Sequence, residues 1–209
     1  MKRAAISAAL HVLTAAAGLL MLAACVADKV PPGTTYQQLK QNYAGEAYEV
    51  LIVDRKKFDR RFWPMVVTAP EPHPEGTILV DTQQRYLYLF EPGGKARRYG
   101  IAVGASGHAW SGTAAVGRKA KWPAWFPTDD MRNQTPGLPK RIEPGTHNPL
   151  GARALYLFQD GRDTLYRIHG TSEPWTIGTE ASSGCIRMLN EDAIDLYDRV
   201  QPGAIVIVR

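Results

Sequence analysis

The sequence predicts a mainly β domain in the C-terminal part of the chain, from residue 76 onward. Short runs rich in β-branched and aromatic residues alternate there with Gly, Pro, Asp and Asn, which is the pattern of strands separated by turns. The connections at 91–94 and 160–163 contain the glycines that tight hairpins need. The predicted strands are TILVDT, RYLYLF, RRYGIAVG, ALYLF, TLYRIHG and AIVIVR.

One segment near the C-terminus has the pattern of a helix. Asn190 is the candidate N-cap, acidic residues follow it, apolar residues recur at helical spacing, and Gly203 lies beyond the end. We therefore expect a short helix before the last strand, so that the domain as a whole has one or two short helices.

The residues before this domain divide into two parts. Residues 1–24 begin with basic residues, continue through an apolar run rich in Ala and Leu, and end in small residues, as secretory signal peptides do. Residues 25–75 hold a short apolar run, VLIV, and the proline-rich APEPHPEG, which we interpret as an N-terminal extension and linker. The predicted division of the chain is therefore 1–24, 25–75 and 76–209.

Charge and cysteine content limit the expected partners. The formal net charge of +5 falls further when Lys2 and Arg3 leave with the signal peptide. It is a weak argument for nucleic acid, and export argues further against that partner. The chain has two cysteines, and a free thiol in an oxidising, exported compartment is a liability unless its reactivity is used.

The stretch SSGCIRM places Cys185 directly after Gly184, with His169 sixteen residues upstream at the end of a predicted strand. A cysteine attacks as its thiolate, and at an ordinary pKa of ~8.5 it needs a nearby base. His169 can be that base. Backbone N–H groups near Gly184 can hold an oxygen that becomes negative, and Arg187 can bind a carboxylate through its planar guanidinium.

The residues alone leave two other interpretations open. Cys185 can be a small buried apolar side chain, with His169 as a satisfied polar residue of the core. Alternatively, His169 and Cys185 can bind zinc together with His147 or His108, although none of these residues shows the close paired spacing that is usual in zinc sites.

The whole segment HGTSEPWTIGTEASSGCIRM resembles the signature of the L,D-transpeptidase catalytic domain family (YkuD type, ErfK/YbiS-like). The strand at 76–82, the YGIAVG motif and the NPLGARA segment at 148–154 are similar to further motifs of that family. The resemblance covers residues 76–209, and it is specific because several motifs agree in order and spacing. It implies a β-sandwich-like domain that needs no cofactor and no metal.

The resemblance also implies an activity on peptidoglycan. Cys185 would attack a tetrapeptide stem, form a thioester and pass the stem to an amine, which gives a 3→3 cross-link or attachment to a protein. His169 would be the general base, the Gly170 carbonyl would orient its imidazole, and the amides of Gly184 and Cys185 would form the oxyanion hole. Arg187 would contact the donor stem, and carbapenems would be inhibitors.

Ser183 and the segment at 111–117 depart from the family pattern, and Trp175 is a further candidate site residue. Many members have a second histidine where this chain has Ser183, so Ser183 must supply the corresponding hydrogen bond through its hydroxyl. Trp175 is expected to contact substrate. The segment SGTAAVG at 111–117 corresponds to a Thr-Pro-Thr-Gly turn but lacks its proline, and we interpret it as a local variant of that turn.

The residues before Cys25 resemble a bacterial lipoprotein signal, Leu22-Ala23-Ala24-Cys25. Cleavage before Cys25 and lipidation of its thiol would give a periplasmic protein that is anchored in a membrane by lipid. Val26 at the next position favours the outer membrane, by analogy with enterobacterial sorting. An ordinary signal peptide that is cleaved nearby is the alternative.

The identity of the acyl acceptor stays open at this point. Another stem peptide, an outer-membrane protein or lipoprotein, a free D-amino acid and water are all compatible with the sequence. A lipid-anchored module of the same fold that binds stem peptides without reacting is the alternative function, although such a module has no need of an exposed thiol.

Overall fold

The structure is a computed structural model that describes residues 43, 45–105, 110–182 and 184–209. The predicted signal peptide lies outside the described residues, as do Cys25, His108 and Ser183. Neither α-helix in the described part combines the length and the apolar character that are needed to span a membrane.

The described part contains eleven strands and two α-helices. The strands are β1 (Met65–Thr68), β2 (Ile78–Asp81), β3 (Tyr86–Glu91), β4 (Lys95–Gly100), β5 (Val103–Gly104), β6 (Gly112–Lys121), β7 (Arg153–Gln159), β8 (Arg162–His169), β9 (Glu180–Ser182), β10 (Ile186–Arg187) and β11 (Ile205–Val208). The helices are α1 (Asp129–Gln134) and α2 (Asn190–Arg199). Single 3-10 turns lie at Arg55–Lys57, Arg60–Phe62 and Pro174–Thr176.

Nine of these strands form one sheet in the order β1-β4-β3-β2-β11-β6-β7-β8-β10. Neighbouring strands are antiparallel, except that β11 is parallel to β2 and β10 is parallel to β8. β5 and β9 form a separate pair. In the turn between β7 and β8, Asp160 and Gly161 have φ angles of 50° and 74°, the left-handed conformation that a two-residue hairpin turn requires.

The large sheet curls until its two ends approach each other. Ala102 follows β4, near one end, and exchanges two backbone hydrogen bonds of 2.9 Å with Arg187 in β10, at the other end. Side chains from β2, β4, β7 and β10 accordingly share one core. The curled sheet encloses this core from both sides as two packed sheets do, and the mainly β prediction with two helices is confirmed.

Helix α2 packs against the core and is held at its C-terminal end. Leu196 and Val200 lie in the same apolar cluster as the sheet residues. The Lys119 ammonium, from β6, donates to the backbone carbonyls of Tyr197 and Val200, each at 2.6 Å. A positive charge stabilises this end of a helix, where carbonyl groups lack partners. The first residue of α2, Asn190, lies next to the end of β8.

The residues before β2 contribute to the same fold. Val50 and Ile52 pack in a cluster with Trp122, Ala152 and Ile194. β1 adds an edge strand to the sheet through antiparallel pairing with β4. Part of the segment that we interpret as extension and linker is therefore packed against the C-terminal domain.

Two expectations are wrong. The segment at 111–117 is not a turn, because residues from Gly112 onward form the ten-residue strand β6, which pairs with β11 and β7. Asn190 is not the N-cap of α2. Leu189 occupies that position, and the buried side chain of Asn190 bonds to other parts of the backbone instead.

Candidate active site

The candidate nucleophile and base lie on adjacent parallel strands. His169 ends β8, and Cys185 immediately precedes β10, in which Arg187 pairs directly with His169. Paired residues of neighbouring strands lie on one face of a sheet, and alternate residues of a strand share that face. The register therefore places the thiol, the imidazole and the Arg187 guanidinium on the same face.

The imidazole of His169 is buried and held in one orientation. Its Nδ1 lies 2.5 Å from the carbonyl oxygen of Gly170. Because a carbonyl can only accept, Nδ1 carries the proton and Nε2 keeps its lone pair. Burial, together with the nearby Arg187 charge, lowers the pKa of His169 to about 3, against the opposing effect of the Gly170 hydrogen bond. His169 is thus a neutral imidazole with a free acceptor nitrogen, the form that a general base needs.

A buried amide fixes the turn that carries the Gly170 carbonyl. The Asn190 side chain accepts a hydrogen bond from the Ala152 N–H at 3.0 Å and donates to the carbonyls of Thr171 at 2.9 Å and Leu51 at 3.3 Å. A Cβ atom at residue 170 would collide with this amide, so glycine is required there for space. Asn190 is a site residue that the sequence patterns do not reveal, since its position before acidic residues indicates a helix cap.

The thiol of Cys185 is half-buried and is not yet engaged by the base. Its Sγ donates a long hydrogen bond of 3.9 Å to the carbonyl of Leu165, and no hydrogen bond joins it to His169 within the described residues. Burial raises the pKa of the Cys185 thiol, against the opposing effects of the Arg167 backbone N–H and the charges of Arg167 and Arg187. The Cys185 thiol is therefore held in its neutral form and needs a base to ionise.

The loop before the thiol is closed by Ser182. Its hydroxyl donates to the Cys185 carbonyl at 2.5 Å and accepts from the Gly184 N–H at 3.2 Å. Gly184 adopts a φ of 125°, a conformation that side-chain-bearing residues rarely adopt. The Gly184 amide is thus already occupied, whereas the Cys185 N–H makes no hydrogen bond within the part of the chain that the structure describes.

Arg187 is paired within the protein. Its guanidinium donates to a carboxylate oxygen of Glu173 at 2.8 Å, and the Arg187 side chain is 18% exposed. Glu173 directly precedes the 3-10 turn that contains Trp175, which is half-buried. Glu173 is a second site residue that sequence patterns do not indicate, because an isolated acidic residue in a loop carries no signal of its partner.

Within the described ranges, no group of three or more His, Cys, Asp or Glu side chains is placed to hold a metal ion. His147 is exposed, and His108 lies outside those ranges. The zinc interpretation therefore has no ligand set in the part of the chain that the structure describes. Ser183 and Cys25 also lie outside it, so their predicted roles stay predictions.

A buried, oriented imidazole on the strand that pairs with the one after a cysteine is an arrangement that cysteine-dependent acyl transfer can use. The model of the L,D-transpeptidase catalytic domain family (YkuD) matches residues 75–208. The chain belongs to this family.

Curated relatives agree with this membership. The chain is 34% identical over 149 residues to the probable L,D-transpeptidase ErfK/SrfK of Salmonella typhimurium, which covers 67% of this chain and 46% of that protein. It is 33% identical over 148 residues to the probable L,D-transpeptidase YbiS of Escherichia coli K12, with coverage of 67% and 46%. The chain thus spans about half the length of these relatives.

A solved structure from Brucella melitensis is also similar, with 47% identity, a TM-score of 0.50, and coverage of 71% of this chain and 94% of that chain. That protein is described as a probable carnitine operon oxidoreductase. The description concerns the Brucella protein. The likeness supports a common fold.

Proposed function

We propose that the chain is a peptidoglycan L,D-transpeptidase that uses Cys185 as its nucleophile. The observation that supports this best is the His169 imidazole, whose proton is fixed on Nδ1 by the Gly170 carbonyl and whose strand pairs with the one that follows Cys185. The donor is a tetrapeptide stem of peptidoglycan, and the acceptor is an amine.

In the first half-reaction, Nε2 of His169 takes the proton of Cys185 while the sulfur attacks the carbonyl of the third stem residue. The N–H of Cys185, which makes no hydrogen bond within the described residues, is the proposed donor to the oxygen that becomes negative. The tetrahedral intermediate then breaks its C–N bond. The imidazolium returns the proton to the departing amine of D-alanine, and a thioester links the stem to the enzyme.

In the second half-reaction, the neutral imidazole accepts a proton from the acceptor amine as that amine attacks the thioester. The C–S bond breaks, the new amide forms, and the proton returns to the sulfur. Because burial makes a protonated His169 unfavourable, the imidazolium is short-lived in both halves. Proton transfer is therefore coupled to attack in each half-reaction.

The thiol must turn away from its resting partner before it can react. A sulfur at 3.9 Å from the Leu165 carbonyl is only weakly held, so a change in the side-chain torsion of Cys185 is inexpensive. In the proposed complex, Arg187 exchanges Glu173 for a carboxylate of the donor stem. Ser183 and Trp175 are proposed to contact the stem on either side of the thiol.

The proposed location is the periplasm, with the mature protein anchored through lipid on Cys25, most simply in the outer membrane. The Ala- and Leu-rich segment before Cys25 and the small residues at 23 and 24 support this. Two or more acyl chains give stable attachment, because each buried methylene adds ~0.8 kcal/mol. The intact mass of the exported protein tests the anchor, and a chain without lipid mass contradicts it.

The activity is tested by intact-protein mass spectrometry of the mature chain, residues 25–209, with Cys25→Ser so that Cys185 is its only cysteine. Incubation with a tetrapeptide stem should add the mass of the stem minus D-alanine, and a carbapenem should add its own mass. The matched Cys185→Ala variant should stay unmodified. A folded, unmodified Cys185 protein in both incubations contradicts the proposal. If Cys185 is acylated, muropeptide profiles with and without the protein identify the acceptor.

A further inference from the structure

A cavity of about 620 Å³ lies beside the hairpin of β7 and β8 and is not part of the proposed catalytic machinery. Its volume is within the range of roughly 300–1,000 Å³ that is common for small-molecule sites. The residues that line it are Trp110, Gln159, Asp160, Arg162, Asp163, Thr164 and Tyr166.

A bulge in β8 connects this cavity to the thiol. Tyr156 of β7 pairs with Arg167, but Phe158 pairs with Asp163, so three residues of β8, 164–166, face the single residue 157 of β7. Leu165 at the centre of the bulge has a φ of 65° and is 68% exposed. Its carbonyl contacts the Cys185 thiol, while its two neighbours line the cavity. Bulges of this kind are common next to active sites.

The cavity combines a flat aromatic wall with unpaired polar groups. The rings of Trp110 and Tyr166 are stacked, with centroids 5.5 Å apart and an angle of 26° between their planes. Gln159, Asp160 and Arg162 are exposed, and their side chains make no hydrogen bond within the described residues.

The other two polar lining residues are already satisfied. Asp163 is held by a two-pronged contact with Arg167 at 2.7 and 2.9 Å, and it accepts from the Leu165 N–H at 2.8 Å. The Thr164 hydroxyl donates to the Leu157 carbonyl at 2.7 Å. The groups that remain for a ligand are therefore one amide, one carboxylate and one guanidinium around an aromatic surface.

We propose that this cavity binds the sugar of the donor strand, an N-acetylated hexosamine to which the stem peptide is attached. The apolar face of a pyranose ring packs on an aromatic side chain, and its hydroxyl and acetamido groups pair with amide, carboxylate and guanidinium groups. This inference rests on the proposed function, because it takes the stem to be the donor at Cys185.

Distance supports a sugar at this position. Three stem residues separate the attacked carbonyl from the muramic acid, and an extended chain covers roughly 3.3–3.6 Å per residue, or about 10 Å. The cavity begins beside Leu165, which contacts the thiol, and ends at Asp160, five residues earlier on the hairpin. Because the chain turns at Asp160 and Gly161 and bulges at residues 164–166, this end lies less than ~17 Å away, the span of five fully extended residues. A bound stem of about 10 Å is therefore long enough to bring its sugar to the cavity.

The experiment compares two donors with the mature chain that carries Cys25→Ser. One donor is the free tetrapeptide, and the other is the same tetrapeptide on its disaccharide. Release of D-alanine gives kcat and KM for each. The cavity is altered by the Gln159→Ala, Arg162→Ala double variant and separately by Trp110→Ala. Phe126→Ala is the matched control, since Phe126 is a 64% exposed aromatic residue that does not line the cavity.

We expect the wild-type KM to be roughly tenfold lower for the disaccharide donor, which corresponds to one well-placed set of contacts. Both cavity variants should remove this difference and leave the free tetrapeptide unchanged, and Phe126→Ala should preserve it. Equal KM values for the two donors in the wild type overturn the inference. So does an equal rise in KM for both donors in the variants, because the cavity would then hold the peptide.

A failed transpeptidase reaction is distinguishable from a failed sugar site. If neither donor releases D-alanine, the proposed function fails, and binding of the disaccharide alone to the Cys185→Ala protein is measured by NMR titration. Shifts of the Trp110 indole resonance that disappear in the Gln159→Ala, Arg162→Ala protein support the sugar site. Absence of any shift overturns it. If Trp110→Ala does not fold, the double variant, which changes only exposed side chains, gives the answer.

Discussion

The two halves of the candidate site are built differently. On the base side, the groups that orient His169 are hydrogen-bonded: Nδ1 bonds to Gly170, and Asn190 ties that turn to residues 51, 152 and 171. On the cysteine side, the thiol has one long contact and Arg187 bonds to the half-buried Glu173. The base is set before substrate arrives, and the cysteine side is arranged to change partners.

The largest expected effect comes from removal of the base. His169→Ala should slow acylation of Cys185 by ~10²–10⁴-fold, because a positioned general base contributes that much to proton transfer. The measurement is the rate of adduct formation with a tetrapeptide stem, followed by mass spectrometry, with circular dichroism as the control for folding. A folded variant that keeps its acylation rate contradicts the assignment of His169.

The next effect comes from the buried amide of the base side. Asn190→Ala leaves the groups at residues 51, 152 and 171 without partners, at a cost of ~1–3 kcal/mol for each that stays buried and unsatisfied. The free energy of unfolding and the acylation rate of the folded protein should both fall.

Asn148→Ala is the matched control for this variant. Asn148 is also buried and bonds through its side chain to Leu150, Ile142 and Glu143. Its replacement should lower stability without slowing acylation per folded molecule. If both variants slow acylation alike, Asn190 acts only through stability.

On the cysteine side, Ser182→Ala should have a smaller effect. The loss of two hydrogen bonds, to Gly184 and Cys185, removes ~1 kcal/mol each and loosens the loop that presents the thiol. We expect roughly a tenfold slower acylation, since ~1.4 kcal/mol corresponds to one decade. Ser111→Ala, at an exposed position, is the control. An unchanged rate would mean that Ser182 does not position the thiol.

Glu173→Gln should strengthen binding of the donor, whereas the preceding variants weaken the reaction. It keeps the shape of the side chain but removes the charge that competes with a donor carboxylate for Arg187. The KM for the donor should fall severalfold while kcat stays nearly constant. Arg187→Lys should raise KM, because lysine lacks the planar two-pronged geometry. Steady-state release of D-alanine measures both, and an increase in KM for Glu173→Gln contradicts the exchange of partners.

A further effect is on the pH dependence of stability, which concerns unfolding and not the rate of acylation. The folded pKa of His169 is about 3 and the unfolded value is ~6.5, so the unfolded state binds more protons between these values. The contribution of His169 to stability is therefore complete above pH ~6.5 and is lost as pH falls toward 3. Urea unfolding of wild type and His169→Gln at several pH values isolates this contribution. If the free energy of unfolding changes with pH in the same way in both proteins, the prediction is contradicted.

The sequence predicts much of the fold because strand patterns are local. All six predicted strand runs are strands in the structure, and the two predicted hairpins have their glycines at turns. The sequence does not predict β1, because this strand has only four residues and most of them are exposed at the sheet edge. The sequence does not predict β6, because its residues, GTAAVGRKAK, are mostly small or charged and not β-branched. This segment is a strand because it pairs with β11 on one side and β7 on the other.

The sequence predicts only those features of the site that the local motif contains. His169 and Cys185 come from the motif, and parallel pairing of their strands brings them to one face. Asn190 and Glu173 act through contacts with residues 14 to 139 positions away in the sequence, and no local pattern contains such a contact. Helix α1 differs, because its start does have a local pattern: Thr128 followed by two aspartates is typical of a helix N-terminus. The sequence analysis does not predict this helix, since none of its residues is buried and it lacks an apolar face.

The pairing of Ala102 with Arg187 has a consequence for folding. The strand that follows Cys185 is two residues long and is held between β8 on one side and a segment about eighty-five positions earlier in the chain on the other. Contacts between such distant segments form late, because a long loop must close first. A newly made chain therefore carries Cys185 without its proposed base, and the two come together only when the last strands of the sheet have paired.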